Sequence, residues 1–122
     1  MDALSPGRTG SHTLTVTDAT TARSLGSGEV NVFGTPALLA AIEAAACDAL
    51  KGAIEPDLTS VGASVTLDHL APSVLGAQVR AQATLDAVDG KRLTFSCVAH
   101  DGDTLIGRAT HTRVIVARAR FE

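Results

Sequence analysis

The sequence predicts an α+β domain in which a curved antiparallel sheet of about five strands wraps one long central helix. Three observations carry this prediction. Several segments alternate apolar and polar residues with period two, while one run of helical length is apolar at nearly every position. Asp-Gly dipeptides, the usual tight-hairpin signal, join neighbouring alternating segments. At 122 residues the chain has room for one core. Residues 1–122 are therefore read as a single domain, with 1–10, polar and turn-forming, as a loose N-terminal segment.

The segment 12–17 alternates, and Thr13, Thr15 and Thr17 suit a strand. Residues 18–34, rich in Thr, Gly and Ser, read as a loop with room for a short helical turn. Thr35 then reads as an N-cap, with Pro36 at the first helical position. The run 37–50 follows, and Gly52 ends it. A helix that is apolar all round has to be enclosed by other elements. One charge, Glu43, sits in its middle, and it is the least expected residue in the sequence.

Period two returns over 63–69, with Ala63, Val65, Leu67 and His69 on one face, and residues 72–76 turn the chain. The longest alternation sets Val79, Ala81, Ala83, Leu85 and Ala87 against Gln78, Arg80, Gln82, Thr84 and Asp86. Asp89-Gly90 turns into a strand carrying Leu93, Phe95, Cys97 and Ala99, and Asp101-Gly102 turns into a fifth strand over 105–116.

Composition narrows the function. The chain has no Trp or Tyr and only Phe33, Phe95 and Phe121, too few aromatics for a single-stranded nucleic-acid platform. A net charge of -3 offers no basic footprint for nucleic acid or anionic lipid. No run reaches the ~18 apolar residues of a membrane span, and residues 1–10 lack the apolar stretch of a signal peptide. A small molecule or another protein in the cytoplasm remains as the expected partner. Cys47 and Cys97 have no CxxC neighbour and read as buried small hydrophobes in a reducing compartment. His12, His69, His100 and His111 are scattered without metal-ligand spacing, so neither a metal nor a bound cofactor is expected.

A buried helix wrapped by a curved antiparallel sheet resembles the hotdog fold. More specifically, Asp89-Gly90-Lys91-Arg92-Leu93, Ala99-His100-Asp101-Gly102 and the stretch from Ile106 to Arg113 are similar to the fluoroacetyl-CoA thioesterase family. Val32-Phe33-Gly34-Thr35 with Glu43 and Cys47, and Gly62 seven residues before His69, fit the same family at the same spacing. The resemblance runs over nearly the whole chain from about residue 10. It implies an acyl-CoA thioesterase whose catalytic Thr, Glu and His fall on Thr35, Glu43 and His69. The glycine whose backbone helps hold the thioester carbonyl falls on Gly62, and a substrate-contacting Arg falls on Arg113. It also implies a homodimer, or a tetramer of two paired dimers, with the site between subunits and a coenzyme A thioester as substrate. An acyl-CoA-binding module without turnover and an enoyl-CoA hydratase are alternative readings. The family's fluoroacetyl specialist has an aromatic gate before the threonine, whereas residues 25–29 here are Leu-Gly-Ser-Gly-Glu, which leaves the acyl group open.

Each residue has chemistry to match. Thioester hydrolysis needs a nucleophile, a proton carrier and donors for the developing oxyanion. Glu43 suits nucleophile or general base, and burial in the helix would raise its pKa toward neutrality; the competing reading is a structural acid paired with an Arg. Thr35 suits capping, catalysis or both, since a helix start also supplies amide donors. Eight helical residues rise about 12 Å, so either the chain between Thr35 and Glu43 is not all helical or the pair meets across a dimer interface, and the dimers of similar hotdog thioesterases favour the second. His69 suits proton transfer near neutral pH. His100 and His111 are read as structural hydrogen-bonders. Arg113 is read as pairing either with thioester or CoA phosphates or in a surface salt bridge, with Lys91, Arg92 and Arg118 as further phosphate contacts.

Overall fold

The computed structural model describes residues 4–122. In chain order it contains β1 (Thr9–Thr15), a 3₁₀ turn (Asp18–Thr20), α1 (Ala22–Leu25), α2 (Thr35–Ala49), β2 (Leu58–His69), β3 (Gln78–Asp89), β4 (Arg92–Asp101), β5 (Thr104–Ala117) and a last 3₁₀ turn (Arg118–Arg120). The strands form one antiparallel sheet in the order β1-β3-β4-β5-β2, curled round α2. The α+β plan expected from the alternation, a sheet curled round one helix, therefore holds, and with it the hotdog fold that the resemblance implied. The meander β3-β4-β5 turns at Gly90 and Gly102, whose φ values of 60° and 58° lie in the left-handed region that two-residue hairpins need. β2, though it precedes the meander, lies outside β5 at the sheet edge. Among the described residues no helix is long and apolar enough to cross a membrane.

The core forms where one face of α2 meets the sheet. Leu38, Ala41, Ile42, Ala45, Ala46 and Ala49 pack on Val79, Ala81, Ala83, Leu85, Leu93, Phe95, Cys97 and Ala99. Small side chains make the approach close. A Cβ on Gly10 of β1 would stand 2.2 Å from the Ala49 nitrogen and 2.3 Å from the Ala45 oxygen, so only glycine lets β1 lie on the helix backbone.

Several boundaries differ from the sequence expectation. Of the segment expected to be loose, residues 1–3 lie outside the described residues, but the chain is tied down from residue 7. Gly7 N–H donates to the Leu85 carbonyl and Leu85 N–H to that of Arg8, both at 2.8 Å. Arg8 Nε donates to the Ala49 carbonyl at 2.7 Å. Pairing with β3 and the Gly10 contact order a stretch whose side chains carry almost no apolar signal. The helix N-cap is Gly34, extended at φ -79° and ψ 144°, and Thr35 is already helical. Pro36 stays within the first turn, where its missing N–H costs nothing, and the Thr35 hydroxyl is free for another partner. β2 starts at Leu58 rather than 63, because its ladder with β5 runs on to Leu58↔Ala117 past a bulge at Ala63.

The helix is enclosed on one side only. Pro36, Ala40 and Cys47 are exposed and Leu39 and Ala44 half-buried, a stripe at helical spacing that no element of the chain covers among the described residues, and half-buried Glu43 lies on it where the stripe meets β2. Cys47 is thus exposed, contrary to its expected burial, because it lies on this outer stripe. Cys97 is buried as expected, and burial, aided by the nearby Asp86 carboxylate, pushes its thiol up to about 11.

Candidate functional site

The candidate residues assemble into two groups, because α2 and β2 run past each other in opposite directions. Thr35 starts the helix opposite the end of β2 at His69, and Glu43, two turns on, reaches Gly62. At the first station Thr35 Oγ1 lies 2.8 Å from His69 Nδ1. The edge-on ring of Phe33, 6.4 Å away and at 79°, flanks the imidazole. Burial lowers the His69 pKa from the usual 6.5, offset in part by the Ala71 backbone. Burial thus favours the neutral ring, whose Nδ1 lone pair can accept the Thr35 hydroxyl proton. Nε2 is buried and meets no hydrogen-bond partner among the described residues. The pair opens into a cavity of about 310 Å³ whose walls are largely apolar, from Ala22, Val32, Phe33, Leu70, Ala71 and Pro72.

At the second station Arg113 Nη1 donates to Glu43 Oε2 at 3.3 Å. The carboxylate lies over the β2 backbone at Gly62, where a Cβ would come within 2.5 Å of Oε2. Any side chain there would displace Glu43. Arg113 also donates from Nε to Ser60 Oγ at 2.8 Å and from Nη2 to the Ser60 carbonyl at 3.1 Å. Its Nη1 lies 3.1 Å from His111 Nε2. The Arg113 side chain is 7% exposed while that of Glu43 is 40% exposed. A second cavity, of about 280 Å³, lies beyond Ser60 with Lys51 and Arg118 at its rim.

These positions refine the expectations. Thr35 meets His69, and Glu43 meets Gly62 and Arg113, but the continuous helix keeps the two groups apart within one chain. Glu43 is not engulfed by the helix's neighbours, since it lies on the outer stripe, so the premise of deep burial fails. It does have the arginine partner that a structural acid would have. Arg113 is neither a surface ion pair nor open to phosphate: β5 turns it inward with Ala109, His111 and Ile115. Of the other expected phosphate contacts, Arg118 borders a cavity, whereas Lys91 and Arg92 lie at the β3–β4 turn. Phe33, Ser60 and His111 were not singled out from the sequence as site residues. For His111 the signal was present, in its parity with Arg113 along the β5 alternation.

Known proteins share this fold. The family model described as fluoroacetyl-CoA-specific thioesterase matches residues 16–119. The fluoroacetyl-CoA thioesterase of Streptantibioticus cattleyicolor is 33% identical over 90 residues, covering 74% of this chain and 65% of that protein's length. A crystal structure of a mutant fluoroacetyl-CoA-specific thioesterase in complex with fluoroacetate and CoA superposes with a TM-score of 0.90 at 29% identity, over 98% of this chain and 100% of that one. A thioesterase superfamily member from Thermus thermophilus superposes at 0.89 with 25% identity, over 98% of this chain and 89% of its own.

Proposed function

Because the chain belongs to the fluoroacetyl-CoA-specific thioesterase family, we propose that it is an acyl-CoA thioesterase, cleaving a thioester with water into a carboxylic acid and free CoA. The observation that carries this reading is the 2.8 Å contact between Thr35 Oγ1 and a neutral His69 at the mouth of an apolar cavity. His69 Nδ1 accepts the hydroxyl proton as Oγ1 attacks the thioester carbonyl carbon. The C–S bond then breaks and the CoA thiolate takes that proton from His69. Water cleaves the resulting Thr35 ester, giving its proton to a Glu43 carboxylate, which returns it to Oγ1 as the acid leaves. The Gly62 backbone takes part in holding the carbonyl. These steps need only water and the chain's own side chains.

Glu43 and Thr35 of one helix are about 12 Å apart along its axis, so the carboxylate at each threonine comes from Glu43 of the partner subunit in a homodimer. The uncovered stripe of Pro36, Leu39, Ala40, Ala44 and Cys47 and the exposed Val61 on the edge strand support this pairing. A stable, active monomer by light scattering would remove the composite site. The acyl group is an apolar one, since Val32, Leu70, Ala71 and Pro72 wall the cavity beside Thr35.

A panel of acyl-CoAs read by a thiol-trapping dye tests the activity. Release of free CoA is expected for at least one apolar acyl group. Binding without release, in wild type and Glu43→Ala alike, would leave an acyl-CoA-binding module, and loss of enoyl absorbance without free thiol would mark a hydratase. The pH profile tests the base. Neutral His69 is the active form and its pKa is lowered, so kcat/KM is expected to fall in acid with a midpoint below the usual 6.5. A midpoint above that value would exclude His69 as the base.

A further inference from the structure

We propose that His111 is a positioning residue that sets the Glu43 carboxylate through Arg113. His111 is fully buried, at 0% exposure, and cannot touch substrate. Its ring stacks on Phe95, with centroids 6.2 Å apart and planes at 29°. Its Nδ1 lies 2.9 Å from the Ser64 carbonyl oxygen, which can only accept. Nδ1 therefore carries the proton and donates it to Ser64, which leaves Nε2 as a lone pair. That lone pair receives Arg113 Nη1 at 3.1 Å.

Nη1 has two hydrogens, and the structure gives it two acceptors, His111 Nε2 and Glu43 Oε2. The Ser60 hydroxyl and carbonyl take Nε and Nη2. Every guanidinium nitrogen is thus engaged, and rotation of the group is blocked from both ends. The edge that faces Glu43 is set by what holds the other edges. With His111 in place, Glu43 Oε2 is held over Gly62 and the remaining carboxylate oxygen is left for the reaction. Without an acceptor at Nε2, one buried Nη1 hydrogen loses its partner and the guanidinium turns to recover one. The inference rests on the catalytic reading of Glu43 given above.

Two variants separate positioning from plain packing. His111→Asn keeps an N–H for the Ser64 carbonyl, but its amide oxygen stops short of the place where Nε2 met Arg113. His111→Gln places an amide oxygen where Nε2 was. If His111 acts through Arg113, His111→Asn lowers kcat by about 10-fold or more with KM changed less than about 3-fold, and His111→Gln stays within about 3-fold of wild type. If the ring serves only to tie β5 to β2, the asparagine variant is the better of the two, which would overturn the proposal. Thermal melts of both variants report folding separately. In a Glu43→Gln background, His111→Asn is expected to cost nothing further, and losses that multiply would show that it acts elsewhere. Full kcat in Glu43→Gln alone would bring down the underlying reading of Glu43. A dead Glu43→Gln beside a fully active His111→Asn would bring down only the role of His111.

Discussion

Replacing Glu43 by glutamine is expected to lower acyl-CoA turnover by at least ~10²-fold, with the fold intact. The amide has the shape of the carboxylate and its oxygen still accepts from Arg113 Nη1, so the contact at 3.3 Å survives in weakened form. What disappears is the ability to take a proton from water. Stability should change little, because the Glu43 side chain is 40% exposed and ion pairs reached by solvent contribute only about 0–1 kcal/mol. Free-thiol release measured alongside a thermal melt checks both halves. Wild-type turnover in this variant removes Glu43 from the mechanism.

The largest stability effect is expected at a residue far from the chemistry. Gly10→Ala adds a single methyl group at 2.2 Å from the Ala49 nitrogen and 2.3 Å from the Ala45 oxygen. Both are backbone atoms of α2, so no side-chain rotation relieves the clash. Either β1 lifts from β3, breaking the ladder from Thr9↔Thr84 to Thr15↔Gln78, or the helix shifts away from the sheet. Overpacking of this kind costs about 1–3 kcal/mol and more where the neighbour is rigid. A fall in melting temperature of roughly 10 °C follows for a domain of this size. Thr13→Ala, at an exposed position of the same strand, is the control and should stay within ~0.5 kcal/mol of wild type. A Gly10→Ala protein that melts with wild type would mean that β1 is not seated as described.

The fold was legible where the alternation was clean. Val79, Ala81, Ala83 and Leu85 are all fully buried, and both Asp-Gly dipeptides turn hairpins. Edges were less legible. The start of β1 carries Gly10 and Ser11 in place of apolar residues, and β2 gains residues 58–62 only from its partner β5, a non-local pairing that no local pattern announces. At the site, Thr35 looked like a cap because a helix start accounts for it equally well. Only three-dimensional proximity to His69, 34 positions along the chain, gives its hydroxyl another partner. Glu43 stood out as the charge in an apolar run, and its partner Arg113 was already among the expected site residues. Their contact was not readable, because whether β5 faces the middle of α2 depends on the strand order. The inward turn of Arg113 was readable, since it shares parity with Ala109 and Ile115.

The strand order also dictates how the protein can assemble during synthesis. β1 is the first of the five strands to leave the ribosome, yet its partner is β3, so Thr9 waits for Thr84. β2 waits as well, though for a shorter stretch of chain, because its partner β5 is made last. Only the β3-β4-β5 hairpins can form as they emerge, since closing a short loop costs less entropy than closing a long one. The early strand is suited to waiting: along Thr9–Thr15 only Leu14 is a sizeable apolar side chain, so a nascent chain that still lacks its sheet displays hydroxyls, an imidazole and a glycine in place of a sticky edge.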